Sequence, residues 1–194
     1  MGRKKGKSPH SNQISTDELG ELSAQINESL QFEQMMSEIS ATYINLPANE
    51  IDNKIEYGLQ RIGQFLEADR CVLYQLSKDK NTFRPNLVWA NKGIDQIPTR
   101  LLSAKNLQYL FDKWLNEEVV QIYQPDELPD TAIRLKDLLQ QLKVKSHLSV
   151  PFSAGGSIFG AIVLVTVKGH RSWPDVLVQR LQLIGRIFAN ALMR

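Results

Sequence analysis

Apolar residues recur along the chain at two spacings. Steps of three and four residues predict helices, and alternation or short apolar runs predict strands. The first helix is predicted to begin at Ser15, which has capping-box spacing to Glu18, and to end before Pro47. Its first apolar positions are Leu19, Leu22, Ile26 and Leu30. At about 1.5 Å per residue this helix is long for a small domain, so residues 15–31 are predicted to project beyond the core.

The middle of the chain alternates between both kinds of pattern. Strands are predicted at Arg70–Leu76, Phe83–Ala90 and Val119–Tyr123, and helices at 51–66, after Ser103 and at Thr131–Leu142. The acidic segment Gln124–Asp130, which contains two prolines, is predicted to be a loop.

The strongest strand signal comes late in the chain. His147–Phe152 and Ser157–Val167 flank Ala154-Gly155-Gly156, which predicts a hairpin with a tight turn. A last helix is predicted after Ser172 and Asp175, which again have capping-box spacing. Its apolar positions form a heptad seam of Leu177, Leu181, Ile184, Phe188 and Ala191. Hairpin-connected strands with helices at both chain ends predict an α+β fold with an antiparallel sheet.

The composition of the chain indicates its cellular compartment and a basic N-terminal tail. The 194 residues carry a net charge of +2, which by itself indicates no polyanionic partner. Residues 1–14 include Arg3, Lys4, Lys5 and Lys7 and no acidic residue, so they are predicted to form a basic flexible tail. The single cysteine, Cys71, cannot form an internal disulfide, and no apolar run reaches membrane-spanning length. We therefore expect a cytoplasmic protein.

Several motifs together resemble those of GAF domains. The segment 146–152, then Gly155-Gly156 and then Gly160-Ala161-Ile162, resembles the hairpin that marks this family. Arg171-Ser172-Trp173-Pro174 resembles the entry to the last GAF helix, and 45–52 resembles the link between the first two helices. The similarity is greatest to GAF domains of bacterial sensor histidine kinases and related signalling proteins, and it covers roughly residues 30–194.

The resemblance implies a PAS-related sheet of six antiparallel strands with the core order 2-1-5-4-3. Terminal helices would pack on one face, and a ligand pocket would lie on the other. Residues 15–194 would then form a single sensor domain that binds a small ligand or relays a signal through its terminal helices. The apolar seam of the last helix still continues near Arg194, which suggests an effector such as a histidine kinase in a two-component system.

The cofactors of the family find little support in these residues. Bilin-binding relatives attach the chromophore through a cysteine in the pocket helix, and the matching segment, 131–147, has none. The sequence therefore predicts no cofactor, a covalent bilin being improbable, and leaves the small-molecule ligand unidentified. Asn91-Lys92 and Asp126-Glu127 match only part of a cyclic-nucleotide motif, so nucleotide binding is the weaker reading.

Catalytic and metal chemistry are not predicted. His147 and Ser149 share a strand face, but their Cα atoms should lie about 6.5–7 Å apart, too far for a catalytic hydrogen bond. His10, His147 and His170 lack the spacing of a metal site, although His147 alone could ligate a haem iron. A single cysteine cannot resolve its own sulfenic acid, which excludes a methionine-sulfoxide reductase. We expect no enzymatic activity.

Two sets of candidate functional residues follow. The ligand-binding candidates are Trp89, Tyr109, Trp114, Tyr123, Arg134, His147 and Ser149. The candidate interface of a parallel homodimer consists of Leu19, Leu22, Ile26, Leu30, Leu177, Leu181, Ile184 and Phe188.

The leading hypothesis is a sensor module that acts on a downstream effector. A dimerisation scaffold with a filled pocket is the alternative, and a cavity in the structure would distinguish the two. Nucleic-acid binding through the tail is the weaker reading, and it would depend on salt concentration.

Overall fold

A computed structural model of the chain describes residues 15–43, 46–79, 82–97 and 102–193. The predicted basic tail, residues 1–14, lies outside the described residues. The chain divides after Met35 into two units. The first unit contains most of helix α1 (Thr16–Thr42), and the second contains the sheet and the other helices.

The start of α1 confirms the first predicted capping box. The Ser15 backbone N–H donates to the Glu18 carboxylate at 2.7 Å, and the Glu18 backbone N–H donates to Ser15 Oγ at 3.2 Å. Each residue thereby satisfies a backbone donor that the first helical turn leaves without an intrahelical partner.

The second unit alternates short helices with antiparallel strands. In chain order it contains α2 (Ile51–Phe65), β1 (Arg70–Leu76), β2 (Phe83–Ala90), α3 (Ala104–Leu115), β3 (Val120–Ile122), α4 (Ile133–Gln141), β4 (Ser146–Ala154), β5 (Ser157–Thr166) and α5 (Asp175–Leu192). None of the helices in the described part of the chain is long and apolar enough to cross a membrane.

The sheet has the strand order β2-β1-β5-β4-β3, and every neighbouring pair is antiparallel. This confirms the predicted core order, although the described residues form five strands where six were expected. The β4–β5 hairpin turns at Gly155 and Gly156, whose φ angles of 61° and 80° lie in the left-handed region that favours glycine.

The two faces of the sheet carry different helices. Helices α2 and α5 pack on one face, while α3 and α4 cover the other. On the first face the packing is close at two glycines. A Cβ added at Gly63 of α2 would lie 2.2 Å from the Trp89 ring, and one added at Gly185 of α5 would lie 2.3 Å from the Phe152 ring.

Helix α5 begins differently from its predicted form. Pro174 occupies the N-cap position, and no side chain caps the helix by a hydrogen bond. The predicted capping box of Ser172 and Asp175 is therefore wrong. Proline already fixes an extended backbone at residue 174, with φ −61° and ψ 149°, and this turns the chain into the helix without a side-chain cap.

Candidate functional site

The space between the sheet and helices α3 and α4 is filled on one side by aromatic rings. Trp114 of α3 lies with its ring centroid 5.1 Å from that of Tyr74 and 5.2 Å from that of Phe83. The Phe111 ring lies 5.4 Å from Trp114. These four side chains are nearly or fully buried and fix α3 over strands β1 and β2.

A buried hydrogen bond connects α3 to β4. Trp114 Nε1 donates to Ser149 Oγ at 2.9 Å, and both side chains are inaccessible to solvent. The indole N–H and the hydroxyl thus satisfy one another in an apolar environment where either would be costly alone. The structure therefore brings together two of the ligand-binding candidates, Trp114 and Ser149, but their polar groups bond to each other.

His147 lies two residues before Ser149 on the same strand, and its surroundings are different. The side chain is buried, and neither ring nitrogen has a hydrogen-bond partner among the described residues. Burial lowers the pKa of His147 to about 3 from the ordinary 6.5, because the interior disfavours the charged form. The ring is therefore neutral at physiological pH, with one donor and one acceptor unused.

His147 lines a small cavity under α3 and α4. The volume is about 30 Å³, which is close to the share of one water molecule in the liquid. The rest of the lining is formed by Val72, Tyr74, Ile97, Leu102, Leu107, Leu110, Leu135, Leu138, Leu139, Leu142, Val144, Val163 and Val165. No charged side chain is among these residues, and the polar side chains among them are those of His147 and Tyr74.

Four other ligand-binding candidates lie away from this cavity. Trp89 packs against α2 on the opposite face of the sheet, because it pairs with Cys71 and side chains alternate along β1. Arg134 is exposed on the outer side of α4. Tyr123 is 48% exposed, with its ring centroid 5.1 Å from that of His170. Tyr109 is half-buried and packs against the edge of the apolar core.

The dimer candidates fall into two groups. Leu19, Leu22, Ile26 and Leu30 of α1 are each at least half exposed. The α5 seam is buried, with Leu181, Ile184 and Phe188 fully inaccessible. The prediction that this seam contacts a partner is therefore corrected, because these side chains cover the sheet of their own chain.

Sequence analysis missed most of the lining residues. Helix α4 carries an apolar stripe of Leu135, Leu138 and Leu139 that the sequence does predict. The spacing of apolar residues along one helix, however, cannot show that the stripe borders a cavity. Val163 and Val165 lie in a strand that is apolar on both faces, so alternation gave no signal for their side.

The family is decided by a match over most of the chain. A model of the GAF domain family matches residues 56–192, a span that includes the whole sheet and helices α3 to α5. The chain belongs to the GAF domain family. The match confirms the family predicted from the hairpin motifs, and a regulatory sensor role fits a GAF domain. No match to a curated protein was found.

Solved GAF domains share the fold at low sequence identity. The chain is similar to the photoproduct state of GAF3 from Slr1393 of Synechocystis sp. PCC6803, with 15% identity, a TM-score of 0.61, and coverage of 73% of this chain and 92% of that one. It is also similar to the phycocyanobilin-bound GAF domain of a cyanobacterial phytochrome, with 14% identity, a TM-score of 0.63, and coverage of 83% and 93%. A third is JSC1_58120g3 with bound biliverdin IXα, at 12% identity, a TM-score of 0.63, and coverage of 81% and 97%.

These structures correct the prediction that this chain takes no cofactor. Two of the three hold bilins in a GAF fold that this chain shares over about four fifths of its length. The absence of a cysteine between residues 131 and 147 was therefore not a sufficient reason to exclude a bilin.

A bilin needs more space than the cavity beside His147 provides. Sites for ligands of drug size measure about 300–1,000 Å³, whereas the cavity beside His147 measures about 30 Å³. Cys71 is buried on the α2 face, and burial raises the pKa of its thiol. In this arrangement the cavity does not accommodate a bilin, which would require α3 or α4 to move away from the sheet.

Proposed function

We propose that this chain is a regulatory sensor module of the GAF family in which the cavity beside His147 is the ligand site. A ligand in the cavity changes the position of the terminal helices. These helices then act on an effector such as a histidine kinase. The module is proposed to work in the cytoplasm, which fits its single cysteine.

The observation that supports this proposal is the unpaired ring of His147. Burying a polar group without a hydrogen bond costs about 1–3 kcal/mol, and the described part of the chain gives neither ring nitrogen of His147 a partner. An apolar residue of similar size would cost less there. The cost is explained if the ring gains a partner when a ligand enters the cavity.

Strand β4 provides a physical route from the cavity to the terminal helices. His147 and Ser149 point towards α3 and α4, while Leu148, Val150 and Phe152 alternate to the other face. Helix α5 packs directly on β4, and Gly185 allows it to approach the Phe152 ring closely. A ligand that shifts β4 through His147 would therefore displace the surface on which α5 rests.

We also propose that α1 mediates a parallel homodimer. Its exposed stripe, formed by Leu19, Leu22, Ile26 and Leu30, recurs at coiled-coil spacing. The acidic residues Asp17, Glu21 and Glu28 fall on the opposite side of the helix, about 150–180° away at 100° per residue. Two copies can therefore meet along the stripe without bringing these carboxylates together.

The ligand site is tested by native mass spectrometry of the protein purified from cell lysate, with and without added bilin biosynthesis. His147→Leu, purified in parallel, is the matched control. We expect the wild type to retain a small molecule and a smaller fraction of the variant to carry it. Visible absorbance would identify that molecule if it is a bilin. Equal retention on the two proteins, or none on either, would contradict the proposed site.

A further inference from the structure

The walls of the cavity restrict the charge of any occupant. Leucine and valine side chains from α3, α4, β1 and β5 form most of the surface, and none of the described lining residues is charged. An ion placed here would lose its hydration without gaining a counter-charge, which strongly disfavours its binding. The cavity therefore selects against anions and cations alike.

His147 restricts the polarity of the occupant. Its buried ring is neutral because its pKa is lowered to about 3, so it offers hydrogen bonding without charge attraction. Neither Nδ1 nor Nε2 has a hydrogen-bond partner in the described part of the chain, and a neutral imidazole carries one donor and one acceptor. A hydroxyl group on the ligand could pair with either nitrogen, and the remainder of the ligand would contact aliphatic side chains.

Another described cavity does not offer a comparable selection. It measures about 380 Å³ and lies at the end of the sheet near Asp69 and Lys168. Its charged groups already pair with each other, since Lys168 Nζ lies 3.5 Å from Asp69 and Arg171 pairs with Glu67. Arg171 Nε is buried there without a hydrogen-bond partner among the described residues, but the lining carries both acidic and basic side chains, so it does not select for an uncharged or for a charged ligand.

We propose that the cavity beside His147 takes an uncharged, mainly apolar molecule with a single hydroxyl group that hydrogen-bonds to the His147 ring. This inference rests on the proposed function and adds the chemical class of the ligand. With about 30 Å³ available, a ligand of more than a few heavy atoms enters by rotamer changes of the surrounding leucines.

Three probes of similar size separate the contributions. Phenol carries the hydroxyl, toluene is the apolar counterpart, and benzoate is the charged one. Each is titrated into the full chain while the unfolding midpoint is recorded. We expect phenol to raise the unfolding midpoint. Its Kd should be about five- to tenfold lower than that of toluene, which is the ratio of Kd values that corresponds to one additional hydrogen bond. Benzoate is expected to have no effect.

Variants at position 147 test the role of the ring. His147→Leu should lose the preference for phenol and bind toluene more tightly, because the phenol hydroxyl would be desolvated without its histidine partner while the aliphatic walls remain. His147→Gln keeps a neutral donor and acceptor and should restore part of the preference for phenol. The variant His170→Gln, at an exposed histidine outside the cavity, should behave as wild type.

The inference is overturned if benzoate binds as tightly as phenol, if phenol and toluene bind equally to the wild type, or if none of the three binds. The proposed function fails by a different result, namely equal retention of cellular ligands by the wild type and His147→Leu in native mass spectrometry. A bilin found there with no binding of phenol would preserve the sensor site and overturn this ligand class.

Discussion

His147 occupies a position where the fold alone would favour an apolar residue. Its neighbours across the sheet are Ile122 on β3 and Val165 on β5, and its buried ring nitrogens have no hydrogen-bond partner within the ranges that the structure describes. A residue that lowers stability and makes no compensating interaction in the fold is most readily explained by ligand binding, because the ligand provides the missing hydrogen-bond partner.

The first prediction is that His147→Leu stabilises the free protein. Removing an unpaired buried ring and replacing it with an aliphatic side chain of similar volume should raise the free energy of unfolding by about 1–2 kcal/mol. Urea denaturation at pH 7.5 measures this, with His170→Gln as the control that should change little. A loss of stability in His147→Leu would mean that the ring has a partner in the folded protein.

The same residue predicts a dependence of stability on pH. The folded pKa of about 3 lies below the unfolded value near 6.5, so between these values the unfolded chain binds a proton that the folded protein does not. The free energy of unfolding should therefore fall as pH decreases below 6.5, by up to about 1.4 kcal/mol per pH unit. His147→Leu should lack this component between pH 5 and 6.5. Parallel pH profiles of the two proteins would contradict the assignment.

Gly160 allows strand β5 to approach strand β1 closely. A Cβ at this position would lie 2.2 Å from the Tyr74 carbonyl oxygen on β1, so Gly160→Ala must push β5 away from its neighbour. We predict a loss of at least 2 kcal/mol in urea denaturation, on the order of other strained core substitutions. Gly169→Ala, with no atom within 4 Å of the added Cβ, is the matched control, and an equal effect of the two would refute this explanation.

At the scale of elements, three helices end in the same unusual way. Glu67, Glu117 and Lys143 follow α2, α3 and α4 with φ angles of 53°, 59° and 56°. In each case the next residue donates its N–H back to the helix, as Val144 does to the Leu139 carbonyl at 2.8 Å. This closure usually uses glycine, because a Cβ in the left-handed region costs about 1 kcal/mol.

Lys143→Gly should therefore stabilise the protein by about 0.5–1 kcal/mol, measured by urea denaturation. Lys143 is exposed, so little packing is lost with its side chain. Lys145→Gly, two residues on and without a left-handed φ, is the control and should destabilise, since glycine gains only chain entropy in the unfolded state. Destabilisation by both changes would show that the C-terminal geometry of α4 is not limiting.

Most elements and their order could be predicted from the sequence, because the spacing of apolar residues reports directly on helices and strands. The hairpin at Gly155 and Gly156 also carried a local turn signal. The side on which a strand residue lies was harder to predict. Trp89 was assigned to the pocket, but its pairing with Cys71 places it against α2. The start of α5 was misjudged because a proline can replace a side-chain cap.

The candidate site was predictable only in part, for a physical reason. Trp114, His147 and Ser149 stood out because polar or aromatic side chains are rare in apolar segments. The leucines and valines around His147 resemble core residues in every local property, and only packing shows that they enclose a cavity. Likewise, the seam of α5 has coiled-coil spacing, but the same spacing serves to cover a sheet.

At the scale of the whole molecule, the α1 stripe predicts self-association. Leu22→Asp combined with Ile26→Asp should convert a dimer into a monomer of 22.1 kDa in sedimentation velocity, because charges at the seam cannot be desolvated between two helices. Glu21→Gln with Glu28→Gln, on the opposite side of α1, is the matched control and should remain dimeric. A wild-type monomer at micromolar concentration would refute the proposed interface.

The central claim is that a ligand in the cavity beside His147 changes the conformation of the helices on the other face of the sheet. Amide hydrogen exchange of the full chain, with and without the small-molecule fraction of its own lysate, tests this most directly. In the wild type we predict slower exchange in α3 and α4 together with a change in α5, and neither effect in His147→Leu. Exchange that is unchanged in α5, or altered equally in the variant, would contradict the account.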